Sequence, residues 1–208
     1  MTAMTTDCGS VTIADLTAYP RDARVQIVDG TIYLGRPEAF DVPDLDALPD
    51  DGRRHELVDG VIVSSPAPSH IHQRAVTTLA ANMYNILPRQ LEVLVAPFDV
   101  DAGPHSQVQP DVLVIPRDDT DSPVPPPLLA VEVLSPSNRG HDLVTERNLY
   151  ERAKVPSYWI VDPDEPSVTV LELGDDGSYV EVERVTGSGV VSVTKPHEMT
   201  FTPAELVR

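Results

Sequence analysis

Apolar and polar positions follow two different periods along this chain, and the switches between them mark its elements. VQIVDGTIYLG (25–35) and HELVDGVIVSS (55–65) alternate apolar and polar residues about a central Asp-Gly. That dipeptide readily takes the positive φ angles of a two-residue turn, so each segment predicts a β-hairpin. Between them, VPDLDALPDDG (42–52) is acidic and rich in turn residues, with room for one short helical turn. Pro66 and Pro68 break the chain, and Ser69 can cap a helix over 70–87. In that segment Ile71, Ala75, Leu79, Met83 and Ile86 recur at helical spacing as one apolar stripe, and Pro88 stops it.

The second half reads mainly as strands. LEVLVAPFDV (91–100) predicts one strand. DVLVI (111–115), LLAVEVL (128–134) and SYWIV (157–161) are short, almost continuous apolar runs. Runs of this kind sit in the middle of a sheet covered on both faces. HDLVTERNLYERAK (141–154) predicts a helix capped by Asp142, with a solvated charged face. SVTVLEL (167–173) and SYVEVERV (178–185) pair as a hairpin across Gly174-Asp-Asp-Gly177, and GVVSVT (189–194) is a last strand. The order is that of an α/β (α+β) fold, a mixed central β-sheet flanked by two principal helices with a C-terminal β-hairpin. Residues 1–40 read as an N-terminal extension carrying the first hairpin, and 41–208 as the main domain.

Composition narrows the function classes. The 208 residues carry 15 Lys+Arg against 33 Asp+Glu, a formal net charge of −18. An extended basic groove for nucleic acid is hard to build from that balance, so DNA as a partner needs a local basic patch or a bridging metal ion. An anionic membrane surface is disfavoured for the same reason. No apolar run is long enough to span a membrane, and the N-terminus lacks the pattern of a signal peptide, so a cytoplasmic location is expected. The single cysteine, Cys8, excludes an internal disulfide and a cysteine-rich zinc site. The 21 prolines concentrate in loops, notably DSPVPPP (121–127). Only two lysines occur, Lys154 and Lys195.

Chemistry is indicated where acids interrupt the apolar pattern. Asp111 follows Pro110 at the head of an apolar strand, and Glu132 stands inside the run Leu128–Leu134. A carboxylate in a central strand is costly unless it is paired, hydrogen-bonded or bound to a metal. Two on neighbouring strands point to a shared divalent cation, and hard oxygen ligands suit Mg²⁺ or Mn²⁺. The plain alternative is that Asp111 caps a turn and Glu132 pairs with an arginine. Glu56, in RRHELVDG, is a third acid inside an apolar-patterned segment, with a salt bridge to Arg53 or Arg54 as its plain reading. His70 and His72 diverge by about 200° on a helix and so do not chelate as a pair. A helix cap or a surface position is the commoner fate of such histidines, as it is for His141. Tyr158 and Trp159 fit a buried strand, and Ser135 and Ser137 lack a base nearby in sequence.

QPDVLVI, LLAVEVLSPSN, a helix ending at Tyr150 and KVPSYWIVDP together resemble the Uma-two family, a large bacterial group classed with the endonucleases. HELVDGVIVSSPAPSHIHQ is similar to the family's N-terminal signature, and the resemblance spans about residues 42–185. It implies the PD-(D/E)XK restriction-endonuclease-like fold and metal-dependent DNA cleavage. It places the metal on Asp111 and Glu132, a supporting acidic role on Glu56, and Gln109 and His72 near the site. The family commonly carries a lysine on the second helix, four residues after an aspartate and four before a tyrosine. Here Asp142 and Tyr150 are present and Glu146 stands between them. Leu143, Glu146, Tyr150 and Ala153 share one helical face, so Glu146 takes the lysine's place and adds a negative charge to the cluster. Arg147 could restore the charge but accepts protons poorly. Lys154 lies about 12 Å further along the helix.

The expectation is therefore a Mg²⁺- or Mn²⁺-dependent DNA endonuclease, weak or altered at Glu146, with Glu56, Asp111, Glu132 and Glu146 as its site. The alternatives are a catalytically inactive nuclease-fold module for binding or assembly and a hydrolase of small phosphoesters. Cleavage of two strands calls for two sites, so a homodimer or higher homo-oligomer is expected.

Overall fold

The computed structural model describes residues 19–118 apart from 21, 29 and 37, then 125–135 and 142–208, with 142 and 143 described through their backbone only. The expectations for Cys8, Asp29, Ser137, His141, the side chains of Asp142 and Leu143, and the 121–124 part of the proline loop lie outside the described residues. The described chain is a mixed α+β protein, mostly sheet with few helices. It divides into two compact units, residues 1–67 with 104–107, and residues 68–103 with 108–208.

The first unit is built from hairpins. Strands β1 (Arg24–Val28) and β2 (Thr31–Gly35) pair antiparallel. A short helix, α1 (Val42–Asp46), follows, capped by Asp41 and Asp44 in a reciprocal capping box. Strands β3 (Arg54–Val58) and β4 (Val61–Ser65) form the second hairpin, and β4 also pairs with β2. The turn between β3 and β4 is the Asp-Gly expected from sequence. Asp59 (φ 47°) and Gly60 (φ 78°) both take the positive φ that a type I′ turn requires. Gly60 is pinned on both sides: its N–H donates to His105 O at 2.8 Å, and its carbonyl accepts from Phe40 N at 3.0 Å. The Ser106 hydroxyl donates to Asp59 Oδ1 at 3.3 Å. Tyr19, Ile32, Leu34, Phe40, Leu57 and Ile62 form this unit's core.

The second unit holds two helices and the main sheet. Helix α2 (His70–Ile86) is capped by Ser69, whose side chain accepts from His72 N. The strands are β5 (Leu91–Val95), β6 (Val100–Gly103), β8 (Val112–Pro116), β9 (Leu129–Val133), β10 (Ser157–Asp162), β11 (Ser167–Leu173) and β12 (Tyr179–Thr186). The chain passes between the units within β7 (Ser106–Val108). The sheet order is β12-β11-β10-β9-β8-β5. Only β9 and β10 run parallel, and helix α3 (Asp142–Arg152) supplies the crossover that a parallel pair needs. The central position of β9 and β10 explains their near-continuous apolar sequences. The small pair β13 (Val191–Val193) and β14 (Met199–Phe201) and a terminal 3₁₀ turn (Pro203–Val207) complete the unit.

Alternation along β9 sorts two faces. Leu129, Val131 and Val133 join Val112, Val114, Trp159 and Val161 against Ala75, Val76, Leu79 and Met83 of α2. Ala130 and Glu132 point the other way, toward the side where Leu149 and Tyr150 of α3 are buried. The apolar stripe of α2 differs in detail from the periodic expectation. Ile86 is exposed at the last turn, and His72 and Val76 are buried instead. The single strand expected over 91–100 is two, broken at Pro97. Helix α3 ends at Arg152 in a Schellman arrangement. Val155 N donates to Tyr150 O at 3.0 Å and Lys154 N to Glu151 O at 3.1 Å, with Lys154 itself in the left-handed region (φ 57°).

Candidate active site

The ladder between β8 and β9 sets the two expected carboxylates against each other. Val112 pairs with Val131, so the next step of the antiparallel register puts Asp111 opposite Glu132. Directly opposed residues hold their Cβ atoms about 5 Å apart. Both acids are buried, at 4% and 2% relative exposure. An acid at either position alone could be a satisfied core residue, but the register brings the pair to one place.

Each carboxylate is held through one oxygen by dedicated donors. Asp111 Oδ2 accepts from the Val133 N–H at 2.9 Å and contacts His72 Nε2 at 3.0 Å. An ionised aspartate only accepts, so with Asp111 ionised the imidazole donates from Nε2. Glu132 Oε1 accepts from the Tyr150 hydroxyl at 2.6 Å, a short charge-assisted bond. Donors of this kind fix carboxylate orientation and hold a cation site in shape.

Glu146 lies half-buried on α3, and its charge acts on Tyr158. Tyr158, fully buried on β10, reports this. Its phenol pKa is pushed well above the ordinary value, first by burial, then by the charges of Glu146 and Glu132, with Tyr179 and Asp111 adding. Tyr150, Tyr158 and Tyr179 form a row, with ring centroids 5.1 Å and 5.7 Å apart.

Arg147 stands on α3, and Lys154 and Lys195 lie beyond it. Arg147, the nearest substitute for a lysine, donates through Nη2 to Tyr179 O at 2.8 Å. Lys154 is exposed at the end of α3, and Lys195 bonds Glu172 at 2.7 Å. Gln109 donates to Asp99 at 2.9 Å. His70 is exposed while His72 is buried, the divergence expected of positions two apart on a helix.

Glu56 belongs to the first unit. It is 5% exposed on β3, and Arg54 Nη2 lies 3.1 Å from its Oε2. Arg54 is one of the two partners read from sequence, but the pair is largely buried rather than on an open strand.

Two polar residues gained importance only in three dimensions. His72 resembled a helix cap or surface histidine, and its contact to Asp111 spans 39 positions. Tyr158 sits in an apolar strand that reads as plain core. The resemblance offered one signal, since His72 matched a position near the family's cleft.

Two carboxylates fit Mg²⁺ or Mn²⁺, which bind through one or two protein carboxylates and keep several waters. Among the described residues, no three His, Cys, Asp or Glu side chains gather as a metal-holding group.

The sheet and its crossover helix define a restriction-endonuclease-like nuclease fold. A solved structure described as a putative nuclease belonging to DUF820 from Anabaena variabilis superposes with a TM-score of 0.65 at 17% identity, covering 81% of this chain and 97% of that one. Residues 42–204 match the Uma2 family model, described as putative restriction endonuclease, and the chain belongs to that family. No curated protein matches it.

Proposed function

We propose that the protein is a metal-dependent endonuclease that hydrolyses phosphodiester bonds in DNA, with its activity lowered by Glu146. The observation that carries this reading is the opposed, donor-oriented pair Asp111 and Glu132. Those two carboxylates would hold Mg²⁺ or Mn²⁺. The bound cation would supply an acidified water and neutralise charge on the phosphate. His72 and the Val133 amide keep Asp111 turned for that task, and Tyr150 does the same for Glu132. The acidic surface then makes sense with a divalent cation at the contact, because a cation must offset like charges before DNA can approach. A homodimer or higher homo-oligomer would bring one site to each strand.

Glu146 supplies a carboxylate where the family commonly has an ammonium. It can accept a proton from water, but it cannot balance Asp111 and Glu132. Plasmid DNA with Mg²⁺ or Mn²⁺ tests the reading directly. Wild type should nick it slowly, Asp111→Ala and Glu132→Ala should each lose at least about 100-fold, and Glu146→Lys should cleave faster than wild type. Equal cleavage by wild type and both alanine variants would refute the site.

One observation favours a second reading, an inactive nuclease-fold module for binding or assembly. Arg147 is committed to Tyr179 O, so the nearest cation on α3 is turned to another task. Absence of cleavage even in Glu146→Lys, together with Mn²⁺ binding indifferent to Asp111, would establish it.

A further inference from the structure

We propose that Tyr158 is a positioning residue of this site, its phenol Oη–H donating to the oxygen of a water or phosphate held at Asp111 and Glu132. The inference rests on the metal-site reading above.

A row of three tyrosines carries it. The hydroxyls of the two outer ones are committed: Tyr150 donates to Glu132 Oε1 and Tyr179 donates to Val155 O at 2.7 Å. The middle hydroxyl, that of Tyr158, is completely buried and has no hydrogen-bond partner among the described residues. Buried hydroxyls in native proteins almost always have one, so this donor calls for an acceptor that arrives with a ligand. Its surroundings name the ligand's chemistry. Tyr158 stands on β10 two residues before Ile160, the parallel-register partner of Glu132, and therefore on the same face as that acid. An oxygen bound by the carboxylates, whether of water or of phosphate, can accept from the phenol. Burial and neighbouring carboxylates keep the phenol protonated, so it remains a donor. It supplies the hydrogen bond that an ammonium would have supplied, without the positive charge, in a chain whose lysine position is a glutamate.

Tyr158→Phe removes only the hydroxyl. Manganese titration, read by the loss of free Mn²⁺ signal in electron paramagnetic resonance, should show about tenfold weaker binding, with the thermal midpoint unchanged or higher. Asp111→Asn serves as the control and should lose binding altogether. If Tyr158→Phe binds Mn²⁺ as wild type does while Asp111→Asn does not, Tyr158 is idle and this inference falls alone. If Asp111→Asn also binds as wild type does, the metal-site reading falls with it. A lowered midpoint with unchanged affinity would mark a merely structural hydroxyl and overturn the proposal. Should the Phe variant not fold, Mg²⁺ added to wild type should produce a tyrosine difference spectrum near 285 nm that Asp111→Asn lacks, and no difference in wild type would overturn it.

Discussion

One oxygen of Asp111 receives two hydrogen bonds, and the single backbone donor among them, Val133, lies one residue beyond Glu132. Orientation of one acid is thus tied to the strand that presents the other. The acids were legible in sequence because each interrupts an apolar run, where an ionised group needs a reason. Their supports were not legible. A histidine at a helix start and a tyrosine on a helix each have an ordinary role, and only the contacts of His72 to Asp111 and of Tyr150 to Glu132, 39 and 18 positions apart, tie them to the two acids. A different residue shows the cost of a local conformation. Lys154 holds a left-handed φ of 57° at the end of α3 with an exposed side chain. Such a φ costs a non-glycine residue about 1–2 kcal/mol. Lys154→Gly should therefore raise stability by about 0.5–1 kcal/mol, after the added freedom of the unfolded chain is subtracted. Urea unfolding would measure it, and a loss of stability would mean the lysine side chain contributes more than its exposure implies.

At the scale of elements, long periodic segments announced themselves and short ones did not. The two Asp-Gly hairpins, α2, α3 and the central apolar strands stand where the periodicity put them. β6, β7, β14 and the terminal 3₁₀ turn, with three to five residues each, carry too few positions for a period to show. Their pairing is decided by neighbours distant in sequence. The β3–β4 hairpin offers a test of turn chemistry against packing. A Cβ at Gly60 would meet Ala39 Cβ at 2.5 Å, whereas one at Gly30 would meet only Pro66 Cγ at 3.8 Å. Both glycines have a positive φ, 78° and 84°. Gly30→Ala should cost about 1 kcal/mol of backbone strain, and Gly60→Ala at least about 2 kcal/mol because the clash adds to it. Equal losses in denaturant melts would mean that the Ala39 contact relaxes freely.

The whole molecule bears −18, and its response to base follows from that and from two tyrosines. Tyr158 and Tyr179 both have pKa values raised by burial above the ordinary value of 10.0. Above pH 10 the folded state keeps protons that the unfolded state releases, so stability is fully present below about pH 10 and falls as pH rises through the folded values. Loss of lysine charge in the same range deepens the net negative charge and its self-repulsion. The thermal midpoint should hold between pH 7 and 9 and drop steeply beyond 10, a curve that Tyr158→Phe should flatten. A midpoint unchanged to pH 11.5 would contradict the burial of these phenols.

Trp159 is the chain's one tryptophan, 1% exposed, its indole N–H bonded to Ser157 and its ring stacked on Phe201 at 5.9 Å. It lies in the second unit, while Tyr19 and Tyr33 lie in the first. Nature has thus installed a fluorophore on one half of the polypeptide and left the other optically silent above 295 nm excitation. Red-shifting emission will time the melting of the second unit alone, and its divergence from far-ultraviolet circular dichroism, which sums both units, will reveal whether they unfold together or one at a time.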